Sequence, residues 1–227
     1  MTSSTVLRGP RRHRGLVRYE RRKRIFDLVA ASLLAILLAP VAAVVAVLVA
    51  LRLGRPVLFR QARPGRHGRP FVMIKFRTMH TEESASGPAG DRHRLTRFGL
   101  WLRSTSLDEL PSLWNVIRGE MSLVGPRPLL LGYLGRYTPE QARRHEVRPG
   151  ITGLAQVNGR NALDWEERFS YDTWYVDNRS LRLDLRILLA TARTVVARRG
   201  IAAPGTPTAH EFHGTAGPSR QVADLSR

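Results

Sequence analysis

The sequence predicts an α+β fold: a helix-rich monotopic membrane protein with an N-terminal re-entrant kinked helix, a small β-hairpin and interfacial amphipathic helices. Three observations carry this. Leu28–Leu51 runs without a charge and has Pro40 near its middle. Two short apolar segments flank a basic Pro/Gly turn, the pattern of a hairpin. Beyond them, apolar residues recur at helical spacing with arginine and tryptophan beside them.

At 227 residues the chain is long enough for one domain with a real core. Its formal net charge of +19 suits a polyanionic partner: nucleic acid, an anionic membrane face or phosphorylated substrates. There is no cysteine, which excludes disulfides and thiol chemistry. The scattered histidines include no pair at a zinc-like spacing.

Residues 1–18 are dense in arginine and read as a basic, disordered N-terminus. Residues 19–54 form the membrane segment. A straight helix over its apolar run reaches about 36 Å, enough to cross the hydrocarbon core. However, Arg18, Arg21, Arg22, Lys23 and Arg24 precede the run, and Arg52, Arg55, Arg60 and Arg63 follow it. Basic flanks stay on the cytoplasmic side, so a helix that enters, bends at Pro40 and returns satisfies both. The alternatives are a spanning helix and a buried soluble one. Asp27, at the mouth of the run, is expected to pair with a nearby arginine.

Pro56–Phe59 and Pro70–Phe76 are the hairpin strands. The second ends in Lys75-Phe76-Arg77, whose cations either face water or anchor a phosphate. Thr81–Asp91 reads as a loop. Leu95, Phe98 and Leu102, beside Trp101, mark a helix that lies in a membrane interface or packs on the core. In the stretch STSLDELPSLWNVIRGEMSLVGPRP, Ser104–Pro128, Pro111 opens a helix that Gly119 closes, with Leu110, Leu113, Trp114 and Ile117 as its apolar stripe. Asp108 and Glu109 fall at its N-terminus. There Ser106-x-x-Glu109 is a capping-box pattern, so the acids either cap or do chemistry. Gly125-Pro126-Arg127-Pro128 favours chemistry, because two prolines around one arginine hold that side chain in place.

Tyr137–His145 reads as a polar helix and Val147–Gly153 as a turn-rich loop. Gln156, Asn158 and Arg160 follow it as polar groups for a sugar or a base. Leu181–Arg199 is helical, and Asp184 between Arg182 and Arg186 reads by itself as a structural ion pair. Residues 200–227 form an irregular tail.

Four stretches, in order and at these separations, resemble the monotopic bacterial sugar transferases, the polyprenyl-phosphate phosphoglycosyl transferases. They are RRKRIFDL, RQARPGRHGRPFVMIKFRTM, SLDELPSLWNVIRGEMSLVGPRP and VRPGITGLAQVNGRN, and the resemblance runs from about Tyr19 to Gly200. The compact length is similar to the short form of the family, which includes transferases of phospho-N,N'-diacetylbacillosamine to undecaprenyl phosphate. The resemblance makes residues 55–199 a cytoplasmic sugar-phosphate transferase domain at the inner membrane. It implies transfer of sugar-1-phosphate from a UDP-sugar to polyprenyl phosphate, releasing UMP. Asp108 falls on the family's nucleophile, which forms an aspartyl-phosphosugar intermediate, and Glu109 on its magnesium ligand, so Mg2+ is the implied cofactor, held at Glu109 and Asp108. Lys75, Arg103, Arg127 and Asp184 fall on the phosphate pocket. The family's Ser-Pro kink reads Ala39-Pro40 here, which keeps the proline without the serine's hydrogen bond.

The rival readings are a basic, membrane-anchored nucleic-acid-binding module and an inactive pathway scaffold. No recognition-helix, zinc-finger or RNA-stacking pattern supports the first, so nucleic acid is not an expected partner. The expected partners are a UDP-sugar, polyprenyl phosphate and membrane lipids. No motif specifies the sugar or an oligomeric state.

Overall fold

A computed structural model describes residues 10–80, 94–159, 163–197 and 211–214. The first helix, α1 (Pro10–Leu37), begins inside the stretch 1–18 expected to be irregular. Residues 1–9, residues 81–93, which include the Thr81–Asp91 stretch expected as a loop, and most of the tail lie outside the described residues. The second helix, α2 (Ala39–Leu53), leaves α1 at 62°. Pro40 sits in the first turn of α2. Without an N–H it cannot extend α1, whereas the first turn of a new helix loses nothing by it. Among the described residues no single helix is long and apolar enough to cross a membrane, but the bent pair together is.

One stripe of α2, Val45, Val49 and Leu53, is buried against Phe76 and Leu102. The outward faces of the pair are different. Leu33, Ile36 and Leu37 of α1, and Val44, Val47 and Leu51 of α2, are exposed. Lower down, α1 is tied into the domain by polar contacts. Among the described residues no arginine forms an ion pair with Asp27. Ser122 Oγ donates to its Oδ2 (2.8 Å), Leu123 N to its Oδ1 (3.2 Å), and Lys23 lies at 3.9 Å. Lys23 stands one helical turn earlier on the same face, which is why it takes the place expected for an arginine.

The hairpin forms from β1 (Leu58–Pro64) and β2 (Pro70–Phe76), with Leu58 opposite Phe76 and Pro64 opposite Pro70. Its first strand is longer than the sequence predicts, because Arg60–Pro64 joins the ladder rather than the turn. The turn places His67 at φ 57° and Gly68 at φ 72°. Helix α3 (Arg97–Ser104) starts at Thr96, whose hydroxyl accepts from Gly99 N (3.0 Å). It buries Leu102 and leaves Trp101 and Leu100 partly exposed, so it packs on the core with an apolar rim left over.

Helix α4 (Ser112–Arg118) ends where expected, at Gly119 with φ 82°. It docks side-on to the free edge of β2. Ser112 Oγ donates to Ile74 O (2.7 Å), Ile74 N donates to Asn115 Oδ1 (3.1 Å), and Asn115 Nδ2 donates to Val72 O (2.7 Å). These side chains take the backbone groups a third strand would have taken. At the other end of α4, the Arg24 guanidinium donates to Val116 O (2.6 Å) and Ile117 O (2.7 Å), a cation on a helix C-terminus.

A second sheet was not expected. Strands β3 (Ser122–Val124) and β4 (Gly150–Thr152) pair in parallel, Ser122 opposite Gly150 and Val124 opposite Thr152. The pairing is long-range and only three residues deep, so no local pattern announces it. The expected helix at Tyr137–His145 is a single turn, α5 (Pro139–Ala142), followed by a 3-10 turn at Arg143–Glu146. Helix α6 (Leu154–Val157) is short, and α7 (Trp165–Asn178) and α8 (Leu181–Ala197) complete the helical layer. Ala31, Phe71, Met73, Val116, Leu123, Tyr175 and Ile187 form the main core among α1, the hairpin, α4 and the last two helices. Of the tail, Glu211–Gly214 has no regular structure, but Phe212 is buried against Tyr133 and Phe169.

Replacing Asn115 by leucine removes two bonds to β2 and strands Ile74 N and Val72 O. We expect a loss of about 2–4 kcal/mol in chemical denaturation. His145 gives a second test. Burial pulls its pKa down from 6.5 to about 4, with Arg144 adding to the effect. Its Nδ1 lies 3.3 Å from Gly65 O, a pure acceptor, so Nδ1 carries the proton; Nε2 is buried without a partner. Between these two pKa values the unfolded chain takes a proton and the folded one does not. His145 therefore costs no stability above about pH 6.5 and a growing amount as pH falls towards 4, about 1 kcal/mol at pH 5 after allowing for partial exposure. The His145→Gln variant should lose correspondingly less stability between pH 7 and 5.

Candidate active site

Asp108 and Glu109 do not sit on the first turn of α4. They form a separate 3-10 turn, Leu107–Glu109, ahead of it. Ser106, expected to cap the helix, is left-handed (φ 56°), and its side chain makes no capping bond. The capping box therefore does not form. Its absence frees Glu109 to point across the domain rather than back at its own backbone.

Glu109 Oε1 receives two cations, one from β2 and one from the loop after β3. The Lys75 ammonium bonds it directly, and Arg127 Nη2 donates at 2.9 Å. Burial works to raise the Glu109 pKa, but Lys75 and Arg127 outweigh it and hold the group at about 2. Burial also pulls the Lys75 ammonium below its ordinary value, against the pull of Glu109. Asp108, only 8% exposed, goes the other way. Burial and then the Glu109 carboxylate raise it to about 6, while Lys75, Arg127 and Arg103 draw it down. The arrangement gives two adjacent carboxylates in opposite states: one permanently charged and clamped, one held at the edge of ionisation among three cations.

Arg103 comes from α3, with its Nε on Thr78 Oγ1 (3.1 Å). Arg127 depends on several supports. Gly125, Gly150 and Gly153 pack backbone against backbone. A Cβ on Gly125 would lie 2.5 Å from Arg148 O, and one on Gly153 would lie 2.3 Å from Gly125 O. Gly125 N donates to Thr152 O (2.9 Å), and Gly150 N to Pro126 O (3.0 Å). Below, Arg144 Nη2 donates to Arg127 O (2.8 Å) and to Asp172 Oδ2 (2.7 Å). Arg144 and Asp172 are both buried at 2% exposure, a pair 28 residues apart that no sequence pattern marks. The glycines were visible in the sequence, but not that the two loops pack on one another.

Asp184 is not brought to this cluster. It is fully buried and accepts from Tyr19 Oη (2.9 Å), Lys23 Nζ (2.9 Å) and Tyr175 Oη (2.7 Å). Its partner is Lys23 on α1 rather than Arg182 or Arg186, because its side chain faces the domain interior. It joins α1, α7 and α8. Gln156 Nε2 donates to Ile151 O (2.9 Å), and Asn158 Nδ2 to Leu154 O (2.8 Å), so both side chains serve their own turn. Arg160 lies outside the described residues. Pro40 stands at the bend, as expected.

Among the described residues no three histidine or acidic side chains converge on one point. A closed protein cage for a metal is therefore absent there. What remains is Asp108 and Glu109, with both cations on one oxygen of Glu109. Two hard carboxylates suit a magnesium ion that draws its other ligands from phosphate oxygens and water.

The bacterial sugar transferase family matches residues 18–198. The chain is 52% identical over 194 residues to the uncharacterized sugar transferase EpsL of Bacillus subtilis, covering 85% of this chain and 96% of that one. It is 45% identical over 187 residues to a UDP-glucose:undecaprenyl-phosphate glucose-1-phosphate transferase of Caulobacter vibrioides, covering 77% and 70%. It is 41% identical over 196 residues to the UDP-galactose-lipid carrier transferase of Erwinia amylovora, covering 78% of this chain and 41% of that longer one.

Arg144→Leu leaves the buried Asp172 carboxylate without its hydrogen-bonded cation and should cost about 3–5 kcal/mol in urea unfolding. Adding Asp172→Leu should recover most of that loss, since the pair itself contributes little net stability against apolar replacements.

Proposed function

The chain belongs to the bacterial sugar transferase family, and from that premise we propose that it moves sugar-1-phosphate from a UDP-sugar to polyprenyl (undecaprenyl) phosphate, releasing UMP. The observation that carries this reading is Asp108, buried beside a Glu109 that Lys75 and Arg127 clamp. The Caulobacter and Erwinia relatives, named for glucose- and galactose-lipid transfer, support the substrate classes.

An oxygen of the Asp108 carboxylate attacks the phosphorus that bears the sugar. The bond from that phosphorus to the UMP oxygen breaks, and its electron pair leaves with UMP. A polyprenyl-phosphate oxygen then attacks the same phosphorus and returns Asp108 as a carboxylate. Splitting the transfer in this way lets a soluble donor and a lipid acceptor use one site in turn. Glu109 and Asp108 are the residues that would hold a magnesium ion, which when bound would neutralise charge on the phosphate oxygens. Arg103 and Arg127 add fixed positive charge where the transferred phosphate develops negative charge. Glu109, kept ionised by Lys75, holds Arg127 in position.

The bent α1–α2 pair supports a re-entrant placement on the cytoplasmic face of the bacterial inner membrane, with the exposed apolar faces in lipid. The basic flanks then meet anionic headgroups at about 1 kcal/mol per well-placed cation. In this reading the protein performs the first membrane step of a glycoconjugate pathway: exopolysaccharide, capsule or glycoprotein glycan.

Incubation with a panel of UDP-sugars and no acceptor should yield UMP and a protein mass raised by one sugar phosphate. Asp108→Asn should abolish the adduct and lower turnover by about a thousandfold or more. Near-normal turnover in that variant rules out Asp108 as the nucleophile.

A further inference from the structure

Lys23, Arg66, Arg148 and Arg179 gather around a cavity of about 30 Å³ beside the middle of α1. None of Asp108, Glu109, Lys75, Arg103 and Arg127 lines it. Its acids are Glu20 and Asp27, and Asp184 stands behind Lys23. Most of these charges are committed. Lys23 bonds Asp184 (2.9 Å), and Asp27 accepts from Ser122 and Leu123. Arg66 and Arg179 share Glu20, at 3.0 Å and 3.8 Å from its Oε1. Arg148, half-buried, is different. Among the described residues no acid pairs with it, and its one described hydrogen bond runs from Nε to Gly119 O (2.9 Å). Burial, then Arg66 and Arg24, pull its pKa down. Four cations facing three acids leave one positive charge over. The cavity also holds a donor without an acceptor: the Arg179 side chain is 7% exposed, and its Nε is buried without a partner.

Size and depth narrow what fits there. One water needs about 10–15 Å³ on this scale, so the cavity takes two or three groups of that size. That suits the oxygens of one phosphate and excludes a whole sugar or base. Guanidinium groups are the side chains best matched to phosphate oxygens. The Glu20 and Arg66 side chains, each about a third exposed, stand at the mouth, and Lys23 and Arg179 at the back. Asp27 in the wall is followed at once by the apolar run, and Ile25, Leu28 and Val29 are exposed. From Tyr19 to Asp27 the helix rises about 12 Å. With the apolar face in lipid, the cavity therefore lies at headgroup depth.

We propose that this cavity binds a single phosphate group, carried by a membrane-lipid headgroup or free in solution, at a site separate from the catalytic cluster. Arg148 and Arg179 are its principal donors, with Arg66 at the mouth. The phosphate chemistry stands without the transferase reading; the headgroup as its source rests on the re-entrant placement above. A bound phosphate ties together Arg66 of the hairpin turn, Arg148 ahead of β4, and Arg179 between α7 and α8, all against α1. It stabilises the fold by mass action. The segment it holds at Arg148 packs on the loop that carries Arg127, through the bond from Gly150 N to Pro126 O (3.0 Å).

The test uses the full-length, delipidated protein in maltoside micelles, with inorganic phosphate titrated against chloride at equal ionic strength. The thermal midpoint of wild type should rise by about 3 °C or more at tenfold the dissociation constant. Arg148→Gln should weaken the phosphate affinity about tenfold or more. Arg66→Gln, on the exposed turn, should weaken it by a smaller factor, and it keeps the test open if Arg148→Gln does not fold. Each variant is compared with its own phosphate-free midpoint, so a less stable one still reports. Arg127→Gln, which removes a cation of the catalytic cluster, should respond as wild type does. No response in wild type overturns the site, as does an unchanged affinity in Arg148→Gln and Arg66→Gln. A response lost from Arg127→Gln also overturns it, by placing the phosphate on the catalytic cluster. The same titration in nanodiscs of phosphatidylcholine and phosphatidylglycerol separates the sources. A gain that disappears there assigns the cavity to a headgroup, and a gain that persists assigns it to free phosphate. UMP release from a UDP-sugar, assayed on the same samples, tests the transferase reading by itself, since its absence leaves the phosphate response standing.

Discussion

Glu109 Oε1 is the point on which the site converges. It accepts from Lys75 on a strand and from Arg127 on a distant loop, and it follows directly on Asp108. The contact lies in a place poor in water, where an ion pair costs desolvation and returns it only when the geometry is fixed. The domain around it supplies that geometry. Ser112 and Asn115 hold α4 to the edge of β2, so the turn carrying both carboxylates lies beside Lys75. Were α4 to shift, Lys75 and Glu109 would each keep their burial and lose their partner.

The Arg127 side is built differently. Prolines fix the backbone on each side of the arginine, bare glycine backbones set its height, and the buried Arg144–Asp172 pair anchors its carbonyl. Arg144 also lies over Tyr137 and Phe169, at 5.8 Å and 5.5 Å from their ring centres. The buried tail residue Phe212 packs on both rings. Support for Arg127 therefore extends to the C-terminal segment, through aromatic contacts worth about 1 kcal/mol each.

The apolar bend and the charged pocket are two ends of one arrangement. Val45, Val49 and Leu53 grip the core while the opposite faces of α1 and α2 stay bare. Lys23, Asp27 and Asp184 lock the lower half of α1 into the domain, and Ser122 and Tyr175 take up the remaining bonds. A helix that leaves the domain with exposed leucines needs such an anchor, since its outward apolar face makes few contacts within the protein.

What the sequence determined alone was local. Pro40 lacks an N–H and must break the helix; Gly119 tolerates the left-handed turn that ends α4; the Pro/Gly turn closes a hairpin, though Arg60–Pro64 joined the ladder. The order of the four motifs was enough to identify the family, and Asp108, Glu109, Lys75, Arg103 and Arg127 do meet in space. The rest was decided by partners far along the chain. Local spacing favoured a capping box at Ser106, yet docking on β2 drew Glu109 to Lys75 and turned Ser106 left-handed. Asp184 looked like a pair for its neighbouring arginines and instead faces Lys23, because burial removes the choice of the nearest solvated cation. Asp172 with Arg144 and the parallel β3–β4 pair left no mark in composition or period. Their energies come from exclusion of water, and only the packed domain determines which groups water cannot reach.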